Sequence, residues 1–362
     1  MSSSIFVARR VSTRRKLLAP ISRVTEEIQP RLEGYLLALG IDWRSVAIRV
    51  RKPKSSFPAR LLRHRSHQIF KIELESKLGL PLEESLFVKI HRDRQSADNE
   101  FRNLSVVWEA FRSSSKFRVP RPLDVLGELN AIVTTGGKGL CLGASILESR
   151  FKSTAEKRVR ELSDSVCRAA EWLQFLHHLE ISDRSSVDSR REIVMELRSL
   201  IRQARQLGFP RNLASEVQSR FASLDWLSEA SDIAVVHRDF NPENVLLGDT
   251  VFVTDFETLG LGLEAEDWAT FWAYFDMHLL QLNLRTLIPC LKAHFLRTVG
   301  ANKDADNELL AVFSIAYFMR RWSDSMSNLS KERIPYIYAN SWMLGMRAIE
   351  NIRLVCQKKD FP

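Results

Sequence analysis

His237-Arg238-Asp239-Phe240-Asn241-Pro242-Glu243-Asn244-Val245-Leu246-Leu247, followed by Val253-Thr254-Asp255-Phe256-Glu257, is the stretch on which the reading of this chain turns. Residues 233–237, four apolar residues of which three are β-branched and then His237, predict a strand that runs into it. Residues 244–247 and 251–254 predict two more, so the segment is a compact strand–loop–strand–strand cluster. Asp239 then lies on a loop just past an apolar strand. Asn244 falls five residues on in the same loop, and a short β hairpin returns Asp255 beside it.

A carboxylate, an amide and a second carboxylate in this order suit phosphoryl transfer from a nucleotide. That chemistry needs little covalent help, only charge neutralisation and positioning. It needs a carboxylate to take the acceptor hydroxyl's proton, the part for which Asp239 is placed. It also needs hard oxygen ligands to hold magnesium on the phosphates, for which Asn244 and Asp255 are suited. An HRD tripeptide alone is a weak signal. The Asn at this spacing, the flanking strands and the second Asp-Phe make it a specific one.

HRDFNPENVLL followed by VTDF resembles the catalytic and metal loops of protein-kinase-like phosphotransferases. The residues beyond Phe256 separate the branches of that group. Asp255-Phe256-Glu257-Thr258-Leu259-Gly260-Leu261-Gly262, then Glu266-Asp267-Trp268-Ala269, is similar to the aminoglycoside phosphotransferase family, which includes choline and homoserine kinase relatives. A protein kinase would carry Gly at position 257 and an Ala-Pro-Glu motif after an activation loop, and neither occurs. Arg238 departs from the pattern, standing where the small-molecule kinases of this family mostly have Gly.

The resemblance implies an α+β, bilobed, protein-kinase-like fold: a small antiparallel β N-lobe with one helix, and a larger, mainly helical C-lobe. It assigns Lys89, in Leu86-Phe87-Val88-Lys89-Ile90, to the α/β-phosphates, with Glu100 as its ion-pair partner on the following helix. Alone, a strand lysine is more often a snorkelling surface residue. Glu257 faces either the metal or the acceptor, or is a structural carboxylate. Asp267, at a helix start, either caps that helix and braces the catalytic loop or meets substrate. The phosphate-covering loop is atypical, since no glycine lies between Ile41 and Leu78. Arg63, Arg65 and Ser66 occupy its place by position, with 52–56 as runner-up, and their charge would replace part of the usual backbone cradle. Thr134 and Thr135, at the linker, complete the expected nucleotide contacts.

The rest of the chain agrees with two lobes. Residues 45–50, 68–74, 85–90 and 130–133 read as strands and 96–113 as a helix, with Pro120 and Pro122 enforcing an extended stretch. Gly136, Gly137 and Gly139 mark a linker. The expected organisation is a basic flexible terminus at 1–25, a nucleotide-binding lobe at 26–135 and a catalytic, substrate-binding lobe at 136–362. In the last, 155–179, 186–207 and 212–229 are helical, and aromatic residues from Trp268 onward form core stripes. His177 and His178 read as structural, and His278 has no partner identifiable from sequence.

Composition sets the remaining bounds. With 362 residues, 45% hydrophobic and 27% charged, the chain is neither disordered nor fibrous. No run of about 18 uncharged apolar residues exists, and four dispersed cysteines without a CxxC pair fit reduced thiols. The net charge of +9 sits in the N-terminal part, while the part from Asp255 onward is nearly balanced. A near-neutral C-lobe favours a neutral or anionic acceptor over a polycation. Residues 1–25 hold six basic residues and no acid, which fits a transit peptide, an arm on anionic lipid or a plain terminus.

The leading expectation is therefore a cytoplasmic kinase that moves the γ-phosphoryl of Mg-ATP or GTP to a small-molecule hydroxyl, on a sugar, amino sugar, glycan precursor or amino alcohol. A kinase of a lipid-linked glycan or protein, with weak peripheral membrane contact, and a catalytically silent nucleotide-binding scaffold are the alternatives. No nucleic-acid motif accompanies the basic half, so no nucleic acid is expected as a partner.

Overall fold

The computed structural model describes residues 21–39, 41, 46–51, 68–76, 81–152, 154–180, 189–206, 208–209, 215, 218, 233–281, 284–301, 309–310, 312–317 and 319–320. In chain order the helices are α1 (Ile21–Ile28), α2 (Leu32–Ala38), α3 (Arg94–Phe111), α4 (Leu142–Lys152), α5 (Ala155–His177), α6 (Ser189–Gln206), α7 (Glu264–Gln281) and α8 (Ile288–Thr298). The strands are β1 (Val46–Arg51), β2 (Gln68–Ser76), β3 (Pro81–Ile90), β4 (Phe117–Arg118), β5 (Pro122–Leu126), β6 (Ala131–Thr135), β7 (Leu140–Cys141), β8 (Ile233–Val236), β9 (Val245–Leu247), β10 (Val251–Val253) and β11 (Gly260–Leu263). The fold is α+β, in two compact units: Met1–Gly139 with Gly248–Glu257, and Leu140–Leu247 with Thr258–Pro362.

The first unit is built on an antiparallel sheet of order β1-β2-β3-β6-β5. Alternation decides its faces. Phe70, Ile72, Leu86 and Val88 are fully buried in one cluster with Val24, Ile28, Leu32, Tyr35 and Leu36 from α1 and α2. Lys89, one residue out of phase with Val88, takes the opposite face. Tyr35 Oη and Arg31 Nη1 each reach Asp124 Oδ2 at 2.7 Å, which ties α2 to β5. The sequence leads one to expect a single helix beside this sheet and a flexible segment to residue 25. Among the described residues the unit instead has three α-helices, because the apolar residues of 24–36 recur at helical spacing and cover the sheet.

α3 starts at Arg94, two residues before the predicted start, because the Asp93 carboxylate accepts the Ser96 N–H at 2.9 Å and caps the helix. A second difference concerns 248–257, which the sequence reading placed in the C-terminal lobe. β10 pairs in parallel with β4, Val251 opposite Phe117, and so carries Asp255 into the first unit.

The second unit is mainly helical. α5 buries Leu162, Val166, Ala169, Leu173 and Leu176, one face of a 3.6-residue period. β8 pairs with β11 and β7 with β9, both antiparallel. An aromatic column runs through the core: Trp172 stacks on Phe240 at 5.6 Å, Phe240 on Phe271 at 5.3 Å and Phe271 on Phe295 at 4.8 Å. Among the described residues no helix is long and apolar enough to cross a membrane.

Candidate active site

In the first unit the structure brings Lys89, Glu100 and Asp255 together. Lys89 Nζ lies 2.6 Å from Glu100 Oε2 and 2.5 Å from Asp255 Oδ1. β3 delivers the lysine and α3 the glutamate, eleven residues apart. Burial opposes the Lys89 charge, but the carboxylates of Asp255 and Glu100 outweigh it and hold the ammonium's pKa above its ordinary value. Asp255 adopts φ 76°, a left-handed conformation that costs a non-glycine residue about 1–3 kcal/mol. Asn103 Nδ2 donates to the Phe256 carbonyl at 3.0 Å and pins the same loop to α3.

His91, which the sequence reading did not single out, joins this cluster. Its side chain is wholly buried, with Nε2 3.1 Å from Glu100 Oε2 and Nδ1 3.5 Å from Glu257 Oε2. Burial lowers the imidazole's pKa, yet the facing carboxylates of Glu100 and Glu257 prevail and raise it. His91, opposite it, in turn holds the Glu257 carboxyl below its usual range. Glu257 therefore sits against His91, one-third exposed. The only sequence signal for His91 is its place directly after the Lys89 strand.

In the second unit Asp239 and Asn244 meet in one loop. Asn244 Nδ2 donates to the Asp239 carbonyl at 2.9 Å and to its Oδ2 at 3.1 Å. Asn241 Nδ2 donates to Asp239 Oδ1 at 3.0 Å. The loop is anchored by Phe240, fully buried in the aromatic column and worth about 1.5–3 kcal/mol of burial. Asp267 shapes it from beneath: its Oδ2 accepts the His237 N–H at 2.7 Å and its Oδ1 the Arg238 N–H at 2.6 Å. His177 Nε2 lies 3.0 Å from the same Oδ2. With zero exposure and both oxygens engaged, Asp267 has the geometry of a brace. Arg238 turns the backbone at φ 63°, the conformation glycine adopts freely, and its Nη2 donates to the Leu261 carbonyl at 2.9 Å.

Thr134 and Thr135 lie on β6, where Lys89 pairs with Ile132 and not with either threonine. Thr135 Oγ1 accepts the Arg121 N–H at 2.8 Å, a link between β6 and the approach to β5. Arg63, Arg65, Ser66 and residues 52–56 lie outside the described residues.

Solved structures share the fold. A GDP complex of an aminoglycoside 2'-phosphotransferase aligns with TM-score 0.62 at 11% identity, over 93% of this chain and all of that one. A choline/ethanolamine kinase family protein from Mesorhizobium loti aligns with TM-score 0.57 at 12% identity, over 91% and 94%. Choline kinase from Cryptosporidium parvum aligns with TM-score 0.56 at 12% identity, over 92% and 98%. No curated protein sequence shows a significant match. The sequence profile of the phosphotransferase enzyme family matches residues 65–288, more than half of the chain. The chain thus belongs to the phosphotransferase enzyme family and is an ATP-dependent phosphotransferase with a hydroxyl group as acceptor.

Proposed function

We propose that the chain moves the γ-phosphoryl of Mg-ATP or Mg-GTP to a hydroxyl of a small molecule: a sugar, an amino sugar, a glycan precursor or an amino alcohol. The observation that carries this reading is the Lys89 ammonium bonded at once to Glu100 and Asp255. A buried cation held between two carboxylates, one on the helix after its strand and one on the metal loop, is suited to meet phosphate oxygens. Names among the solved structures, aminoglycoside phosphotransferase and choline or ethanolamine kinase, support a small-molecule acceptor.

The residues divide the work. Asp239 takes the acceptor's proton while two amide donors, from Asn241 and Asn244, fix its carboxylate. The acceptor oxygen forms its bond to the γ-phosphorus as the bond to the β–γ bridging oxygen breaks, and the nucleoside diphosphate leaves. Lys89, oriented by Glu100, holds the α/β-phosphates. Asp255 offers a carboxylate oxygen and Asn244 an amide oxygen, each a hard donor of the kind magnesium prefers. Magnesium, when bound, supplies charge neutralisation on the β- and γ-phosphates.

The test is magnesium-dependent ADP or GDP release against aminoglycosides, amino sugars, simple sugars, choline-like alcohols and a generic protein. Release stimulated by one small-molecule class, and lowered about 10²–10⁴-fold in Asp239→Ala with nucleotide binding retained, is the expected outcome. Full turnover in Asp239→Ala sinks the assignment of the base, and stimulation by the protein alone sinks the small-molecule acceptor.

A further inference from the structure

Glu243 lies inside the catalytic loop, next to Asn244, yet its side chain is only 6% exposed. Its Oε1 faces His278 Nε2 of α7 at 3.3 Å, and that imidazole is itself 2% exposed. Its Oε2 lies 3.5 Å from Cys141 Sγ at the end of β7. Burial, with the Glu243 carboxylate behind it, pushes the Cys141 thiol up to about 12, so the sulfur is a protonated donor. The thiol also approaches the Pro242 carbonyl at 3.4 Å, and the Gly143 N–H donates to that carbonyl at 3.1 Å. Gly143 makes the room: a Cβ at this position would overlap the Glu243 carboxylate. The first turn of α4, β7 and α7 thus enclose one carboxylate of the loop.

A buried carboxylate costs stability unless donors surround it, so a chain with no use for it would gain from an apolar residue here. Asn244 is its neighbour, and Asn244 orients Asp239 through two bonds. We propose that Glu243, set between His278 and Cys141 in the space left by Gly143, is a positioning residue that sets the place of Asn244 and, through it, of Asp239. This role rests on the phosphotransfer reading of the site.

The experiment uses the full chain and measures kcat, nucleotide KM and the magnesium concentration for half-maximal activity, each per folded molecule. Glu243→Ala and His278→Leu should lower kcat about 10²-fold and raise the magnesium requirement about tenfold, as expected for misplacement on the order of 1 Å. The nucleotide KM at saturating magnesium should hold, because Lys89 is untouched. Glu243→Gln, which keeps length and polarity, should stay within about threefold of wild type. Gly143→Ala leaves the carboxylate in the chain but displaces it, and should give the magnesium signature of Glu243→Ala. A loss of folded protein alone, with kcat and magnesium requirement per folded molecule unchanged, overturns the inference while the phosphotransfer reading stands. A wild-type chain without magnesium-dependent turnover overturns both.

Discussion

Two carboxylates, one in each unit, are buried in contrasting ways. Glu100, in the first unit, faces side-chain nitrogens, the ammonium of Lys89 and the imidazole of His91. Asp267, in the second, faces two backbone N–H groups and His177. A carboxylate that serves side chains tunes charge and can be replaced without unmaking the backbone. One that serves consecutive backbone donors shapes the chain, because a buried N–H without an acceptor carries its full desolvation penalty. The first kind of contact leaves the backbone alone, and the second holds it in place.

The same carboxylate-to-amide change in each place should separate the two. Asp267→Asn turns an NH2 group towards one of the backbone donors and should cost about 2–4 kcal/mol, read by urea unfolding, with activity falling alongside. A stable, active Asp267→Asn protein would break the comparison. Glu100→Gln should leave stability within about 1 kcal/mol, since Lys89 keeps Asp255, while kcat/KM for the nucleotide falls about 10–10²-fold in steady-state assays.

A smaller effect tests whether the first unit also contains backbone-serving contacts. Asn103→Ala removes the donor to the Phe256 carbonyl and should cost about 1 kcal/mol in thermal unfolding. The smallest effect is pH-dependent. His91 has a raised pKa in the fold, so its contribution is fully present below the ordinary value of 6.5 and is lost as pH rises through the raised one. Wild type should therefore lose more stability than His91→Gln as pH rises from 6.5, measured by unfolding at each pH. Parallel curves would remove His91 from the charge network.

Legibility in the sequence followed separation along the chain. Asp239 and Asn244 meet within one loop, so their pairing could be read from spacing, and strands with β-branched alternation declared themselves in β2, β3 and β6. Lys89 and Glu100 were legible through resemblance and the helix between them. What escaped were contacts between distant segments. Nothing near His278 announces Glu243, 35 positions earlier, and nothing near His91 announces Glu257. The helices over the sheet escaped for another reason: α1 and α2 are short, with Pro30 between them and Gly34 inside α2, so the helical period never runs long enough to show. β10 joins the first unit by pairing with β4 across more than a hundred residues, a pairing no local pattern encodes.

The Asp267 brace has a consequence for the order of synthesis. Its carboxylate lies 30 positions after the His237 N–H it accepts and 90 after His177. Asp239 and Asn244 therefore leave the ribosome before the group that shapes their loop. A nascent chain stalled ahead of α7 holds Asp239 and Asn244 but not the carboxylate that accepts the His237 and Arg238 N–H groups just before them. Fragments that end before residue 267 should therefore be silent however much of the upstream chain they retain.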